Sequence, residues 1–394
     1  MPRESVTRQK STMTSQKHLC LLSFSDLKYD ARVLRQIEWL SPLYSVSIVC
    51  RSSPPLSPSI YCIEKSKLGV LEKLLIGIQL ILGKYEKAYT SLYTIPEAIR
   101  QKITDFNWDV VVANDIETLP LAATLRTKKI IFDAHEYAPR HFEDKFIWRL
   151  FFQQFNHYLC EKYIPKVDQM ITVGQRIATE YEKKFGKRPL VVTNAPLYLN
   201  LAPSPVHHDR IRLIHHGGAN WSRQLELMMD VVALLDDRFS LDMMLVSPPN
   251  ANRKTRSYME FLKLRAQKIG RIRILPPVAP HEIVPRINEY DLGIFLIPPV
   301  NFNYANTLPN KFFDFIQARL GVAIGPTPEM ADITKKHQIG IVSDDFSAAS
   351  LANRLRGLDQ EQIENFKKNS NDLSRLLNAE ENKKRFLGLF KEST

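Results

Sequence analysis

Short apolar runs that each end in small or polar residues constrain this chain more than any other feature. His18 to Ser25 reads HLCLLSFS, apolar at consecutive positions and then polar. A run that short and that apolar predicts a strand buried on both faces, followed by a loop. Asp30 to Ser41 predicts a helix with Val33, Ile37 and Leu40 on one side, and Tyr44 to Cys50 a second strand. Strand, helix and strand at this spacing make a parallel crossover unit. The alternation continues with strands at Asp109–Ala113, Lys129–Ala134, Gln169–Val173 and Leu190–Thr193. Helices are expected over Thr118–Arg126 and up to about Phe185.

Residues 194–209 interrupt this rhythm with Pro196, Pro203 and Pro205, which predicts a linker. The rhythm then restarts. Strands are expected at Ile211–Ile214, Leu241–Val246, Ile272–Leu275, Asp291–Ile297 and Val322–Ile324. Helices are expected near 223–235, 257–268, 281–289, 310–319 and 348–356, with a basic helical stretch from about Asp372 to Lys391. The expected fold class is α/β, two Rossmann-like doubly wound domains facing a cleft. We set a disordered tail at 1–16, a first domain at 17–195, a linker at 196–209, a second domain at 210–375 and a C-terminal helix at 376–394. A chain of 394 residues suits two domains. Ligands of such sheets sit outside the carboxyl ends of the strands, so the cleft is the expected site.

The net charge of +12 admits nucleic acid, an anionic membrane or a phosphorylated small molecule as partner. Residues 1–200 hold 28 basic and 20 acidic groups, so the excess leans to that half. Cys20, Cys50, Cys62 and Cys160 show no C-x-x-C spacing and are too few for a disulfide framework. They predict a reducing, cytoplasmic compartment. Met1 to Lys17 lacks the apolar core of a secretory signal. No apolar run is long enough to span a bilayer, so any contact with the inner face of a membrane is expected to be peripheral.

Several chemistries lack their signatures. The nearest approach to a P-loop, Gly77 to Lys84, has one residue too many and Tyr85 in place of Ser or Thr. There is no G-x-G-x-x-G, no G-x-S-x-G and no D-x-D, and both His-Glu pairs, His135-Glu136 and His281-Glu282, lack the second zinc-binding His. No nucleic-acid module appears, so nucleic acid is not an expected partner.

Five segments remain. In Leu308-Pro-Asn-Lys-Phe-Phe-Asp314, Pro309 suits a first helical turn, and a helix N-terminus there favours phosphate. Lys311 adds charge, and Asp314 lies on the same face as Asn310 and Lys311, where it fits a ribose diol. The same residues also fit an amphipathic helix with solvated polar groups. In His215-His-Gly-Gly-Ala-Asn-Trp-Ser-Arg223, Gly217 and Gly218 let backbone approach a ligand, and Arg223 fits phosphate oxygens. A tight turn with a surface arginine fits as well. His135 falls at the end of a strand, as a ligand contact or a structural histidine. Asp26, Asp30 and Arg32 follow the first strand, lining the cleft or, for Asp30, capping the next helix. Finally, Lys65 to Tyr89 sets Leu71, Leu74, Leu75 and Ile78 among lysines, the pattern of an interfacial helix or of a core-facing one.

Taken in order, Asp30-Ala-Arg-Val33, Phe132-Asp-Ala-His-Glu-Tyr137, Val173-Gly-Gln-Arg-Ile-Ala178, Thr193-Asn-Ala-Pro196, Gly217-Gly218 to Arg223, Leu308 to Phe315 and Pro328-Glu-Met330 resemble the retaining glycosyltransferases of the GT-B fold, group 1 or family 4. The likeness spans about residues 18–390. It implies transfer of a sugar, with retained configuration, from a nucleotide-sugar donor in the C-terminal domain to a hydroxyl of a glycan or lipid-linked acceptor in the N-terminal domain. It further implies that His135 meets the donor sugar, that Arg223 stabilises the leaving diphosphate, and that Asp314, the second carboxylate of the family's E-x7-E motif, binds ribose. The first carboxylate of that motif is replaced by Asn306, and the basic residue common after the donor-loop glycine by Gly218.

The expected assignment is therefore His135, Arg223 and Lys311 as catalytic residues. Gly217, Gly218, Asn306, Leu308, Asn310 and Asp314 are expected at the donor, Asp26 and Arg32 at the acceptor. No metal or other cofactor is expected, because Arg223, Lys311 and helix N–H groups would neutralise the diphosphate. With no covalent nucleophile evident, front-face attack with the leaving phosphate as base is the expected mechanism. A nucleotide-sugar epimerase of the same fold and a non-catalytic partner subunit are the alternatives.

Overall fold

A computed structural model describes residues 16–391 apart from 55, 57–58, 65–67 and 248–250. The tail expected at 1–16 lies outside the described residues but for its last one. The first half builds strands β1 (His18–Ser23), β2 (Ser45–Cys50), β3 (Ser59–Cys62), β4 (Asn107–Trp108), β5 (Val110–Asn114), β6 (Arg126–Thr127), β7 (Ile130–Ala134), β8 (Gln169–Thr172) and β9 (Leu190–Val191). The second builds β10 (Ile211–Gly218), β11 (Phe239–Val246), β12 (Ile272–Leu275), β13 (Leu292–Phe295), β14 (Gly321–Ile324) and β15 (Gly340–Val342).

Two parallel sheets result. The first has the order β3-β2-β1-β5-β7-β8-β9 and the second β12-β11-β10-β13-β14-β15, while β4 and β6 form a short separate pair. Each order reverses once, between β1 and β5 and between β10 and β13. At such a reversal the crossover helices leave on opposite faces and a crevice opens at the strand ends. Alternate residues of each strand serve different cores. Cys20 and Leu22 join one apolar cluster of the first domain, and Leu19 and Leu21 the other. In the second domain Leu213 and Ile214 divide in the same way. Burial on both faces is why the strands read as unbroken apolar runs.

Three local expectations change. The helix predicted over Thr118–Arg126 is a single turn, Leu119–Ala122, because Arg126 and Thr127 are drawn into pairing with β4. β10 runs on through His215 to Gly218, beyond its predicted end. The basic C-terminal stretch is two helices, Gln360–Ser374 and Ala379–Gly388. The last helix returns to the first domain, where Phe386 packs 5.5 Å from Trp39 and Lys129 Nζ donates to the Leu389 carbonyl at 2.6 Å. The four cysteines are free, and Cys50 and Cys62 are register partners on β2 and β3.

Candidate active site

The second domain's half of the cleft is built on β10 and the helix Asn310–Gln317. That helix lies close on β13: a Cβ at Gly293 would stand 2.2 Å from the Phe315 ring, so the glycine sets how near helix and sheet come. Pro309 is the N-cap rather than the first helical residue, and the first turn opens on a cavity of about 460 Å³. Lys311 points back across β10. Its Nζ is 3.4 Å from His215 Nε2 and 4.7 Å from the Phe295 ring centroid. The Ile294 carbonyl, 3.0 Å from His215 Nδ1, fixes the proton there and leaves Nε2 to accept from Lys311. Gly217 adopts φ 133°, and a Cβ on it would come within 3.0 Å of Lys311 Nζ and 4.0 Å of Arg223. Only glycine suits that backbone and that space.

Arg223 and Lys311 thus converge beside Gly217, and neither forms an ion pair among the described residues. Burial, aided by Arg223, pushes the Lys311 ammonium well below its usual pKa. Burial likewise drives His215 down, and His216 down to about 3. Asp314, one turn inside the helix, has its carboxyl pushed up to about 7 by burial, against the pull of Lys311 and Arg35. Its Oδ2 lies 3.4 Å from His216 Nε2. The buried Lys311 in the first turn of the helix and the half-buried Arg223 facing it make a site that gains by taking in an anion.

The first domain's half is electrostatically closed. Arg32 forks onto Asp133, Nε to Oδ2 at 2.7 Å and Nη2 to Oδ1 at 2.8 Å, and spends Nη1 on the Val192 carbonyl and on Asn194. His135 Nδ1 is 3.2 Å from Asp115, and Nε2 is 3.1 Å from Asn114 Oδ1 and 3.6 Å from Asp133. Burial opposes the imidazolium, but Asp115 and Asp133 outweigh it and lift the pKa to about 9. Asp115 has φ 63°, which turns its carboxylate back toward His135. Behind it lies a cavity of about 240 Å³ lined by Glu117, Glu136 and His141. Burial and Asp115 raise Glu117 to about 7, while Glu136 meets His141 at 2.8 Å.

The expected residues are therefore sorted by the structure. His135, Gly217, Arg223, Leu308, Asn310, Lys311 and Asp314 line one cavity. Gly218 stands in open space just outside it. Asn306 turns away: its side-chain amide donates to the Phe302 carbonyl at 2.9 Å, ending the short helix Phe302–Ala305. Asn303, Tyr304 and Thr307 take the wall in its place. Asp26 caps the turn Leu27–Tyr29, and Asp30 caps the helix Ala31–Leu40. Together with Arg32 they line a hollow of about 420 Å³ that shares His135, Asn194 and Asn310 with the cleft. The guanidinium of Arg32 is committed to Asp133, so this residue positions the floor instead of reaching out.

Residues not singled out beforehand also matter. Asn114, Asp115 and Glu136 hold or flank His135, and only their places at strand ends hinted at it. Tyr137 N–H donates to Asn303 Oδ1 at 2.8 Å, and Glu329 Oε1 accepts the Arg176 N–H at the start of the helix Gln175–Phe185. A Cβ at Gly174 would stand 3.0 Å from that carboxylate. These contacts join the two domains at the cleft. Among the described residues, no group of His, Cys, Asp or Glu is arranged to hold a metal ion, and no helix is long and apolar enough to cross a membrane.

No family model matches the chain, and no curated protein matches its sequence. Solved structures do match in fold. Anabaena HepE, in complex with UDP and glucose, aligns over 95% of this chain and 99% of its own at 12% identity, with a TM-score of 0.64. Sucrose-phosphate synthase from Thermosynechococcus elongatus aligns over 95% and 98% at 13% identity and a TM-score of 0.65. A UDP-forming trehalose-phosphate synthase from Burkholderia vietnamiensis aligns over 94% and 99% at 10% identity and a TM-score of 0.61. The fold is GT-B, two Rossmann-like domains facing a cleft.

Proposed function

We propose that this protein transfers a sugar from a nucleotide-sugar donor to a hydroxyl of a glycan or lipid-linked acceptor, with retention of configuration. The reading rests above all on Arg223 and Lys311, two cations without carboxylate partners beside Gly217 at the N-terminus of the helix Asn310–Gln317. A nucleoside diphosphate supplies the charge they lack. As the glycosidic bond breaks, negative charge grows on the outer phosphate, and these groups stabilise it more in the transition state than before. Asp314, one turn inside the helix and lining the same cavity, accepts hydrogen bonds from the ribose diol.

His135 walls the sugar end of the cavity. Because Asp115 and Asp133 balance its charge, it does not oppose cationic character at the sugar carbon. The acceptor hydroxyl enters from the first domain, beside the hollow of Asp26, Asp30 and His135, on the same face as the leaving phosphate. That phosphate then takes the hydroxyl proton. The chemistry needs no metal, since two cations and the helix N-terminus already meet the diphosphate.

A thermal-shift and product-release panel of UDP-, GDP- and dTDP-sugars tests the reading, with UDP-sugars first because UDP appears in the structural neighbours named above. We expect one donor to raise the melting temperature and to release nucleoside diphosphate when an acceptor is present. Arg223→Ala and Asp314→Ala should each lower turnover by about 10²-fold or more. Binding of none of these donors would overturn the proposal and favour a partner-subunit role. Normal turnover in both variants would overturn the site assignment.

A further inference from the structure

The helix Val70–Ile81, sequence VLEKLLIGIQLI, is apolar nearly all round, yet it buries only Ile76 and Leu80. Gly77 lets the Phe151 ring come close beneath it, where a Cβ would stand 3.2 Å away. Leu71, Leu74, Leu75, Ile78, Ile81 and Leu82 are left outside, with Leu71 68% and Leu74 60% exposed. The neighbouring segment adds Phe146, Ile147 and Leu150, at 66%, 65% and 50%. Isolated exposed apolar residues need no explanation, but a continuous face does. Core packing is excluded here, because the face points to solvent.

Around this face stand Lys73, Lys84, Lys87, Lys145 and Arg149, all exposed and none in an ion pair among the described residues. Of the nearby acids, Glu86 pairs with Lys162 at 2.6 Å and Glu143 with Arg140 at 2.5 Å, while Glu72 caps its own helix at the Gly69 N–H and Asp144 accepts from Asn301 at 2.9 Å, so the basic groups outnumber the uncompensated acids. We propose that the helix Val70–Ile81, with residues 146–150 beside it, is a docking surface for an anionic lipid bilayer. Apolar side chains enter the interface while lysines and Arg149 meet lipid phosphates, the arrangement of a helix lying in the membrane plane. A second copy of the chain is the poorer occupant, because a twofold contact would set this basic patch against itself. At about 18 Å the helix is too short to span, in keeping with an in-plane position.

The face also lies where a lipid-linked molecule would be handed inward. Phe152, two residues beyond Leu150, lines both the cavity at Glu136 and an outer hollow with Leu68, Leu92 and Tyr93. The docking itself does not depend on the sugar-transfer reading, and its test reads binding alone. Full-length protein is sedimented with phosphatidylcholine vesicles, with and without phosphatidylglycerol, at low and high salt. We expect co-sedimentation with the phosphatidylglycerol vesicles at low salt and loss of most of it at high salt. Leu71→Ser, Leu74→Ser and Ile78→Ser together should weaken binding about tenfold or more, with an unchanged melting temperature. Lys73→Gln with Lys145→Gln should cost roughly fivefold per lysine on anionic vesicles and little on neutral ones. No binding at low salt, or binding indifferent to both sets of substitutions, overturns the proposal. So does self-association in sedimentation velocity that the serine substitutions abolish while vesicle binding stays absent.

Discussion

The two domains share a strand order and a crevice at the reversal of that order, yet their cleft-facing ends are charged on opposite plans. In the first, Arg32 has Asp133 and His135 has Asp115 and Asp133, while Arg35 reaches the amide of Asn194 instead of an acid. In the second, Lys311 and Arg223 face the cavity with no acid paired to them among the described residues, and burial pushes Asp314 up to about 7. Topology therefore fixes where a ligand goes, and charge matching decides what kind. The matched end has its buried charges balanced in its floor. The unmatched end is a destabilised pocket that an anion completes.

This contrast makes removal of a charge act in opposite directions on the two sides. The largest effect belongs to Asp133→Ala. It strands Arg32 inside the first domain and should cost about 3–5 kcal/mol in a denaturant titration; a loss below about 1 kcal/mol would mean the pair is not structural. Next, Lys311→Met should lower turnover by about 10²–10³-fold, about 2.7–4 kcal/mol in the barrier. The same variant should melt no lower than the parent, because it removes a buried charge without a partner. A large drop in both properties would show that Lys311 holds the fold.

Asp314→Asn sharpens the comparison through pH. With its folded pKa near 7 against 3.8, Asp314 holds more protons in the folded state, so stability falls as pH rises from about 4 to 7. The asparagine variant should lose that slope and gain roughly 1–3 kcal/mol at pH 8. His135 gives the smallest effect. Its contribution is complete below about 6.5 and fades as pH rises through about 9. His135→Gln should flatten this decline, by on the order of 1–2 kcal/mol in melts taken at successive pH values. An unaltered slope would mean that the imidazole is neutral in the folded protein.

Much of the fold could be read from the chain because both sheets are buried on two faces, which leaves apolar runs too plain to mistake. The second domain's share of the cavity was legible for a related reason: Gly217 falls at a strand end, Arg223 in the turn just after it, and Lys311 and Asp314 in one helical turn, where local spacing reports geometry. The first domain's share was not. Arg32 and Asp133 lie 101 residues apart in sequence, and Glu329 and Arg176 153 apart, so no local period links them. Asn306 was misplaced because its spacing from Asp314 is right while the turn at Phe302–Ala305 rotates it away. The helix Val70–Ile81 was ambiguous because periodicity marks an apolar face without saying what that face meets.

The last helix has a consequence for how the molecule is made. Phe386 and Ala379 belong to the same apolar cluster as Leu19, Val33 and Ile48. The ribosome completes the first sheet at β9 and then adds some 190 residues before supplying those side chains. At about 5–20 residues per second, that is a delay of roughly 10–40 s. During it, Trp39 lacks the Phe386 ring that later packs on it. The first domain begun is thus finished only after the second has been made, and a chain truncated before Ala379 leaves it open.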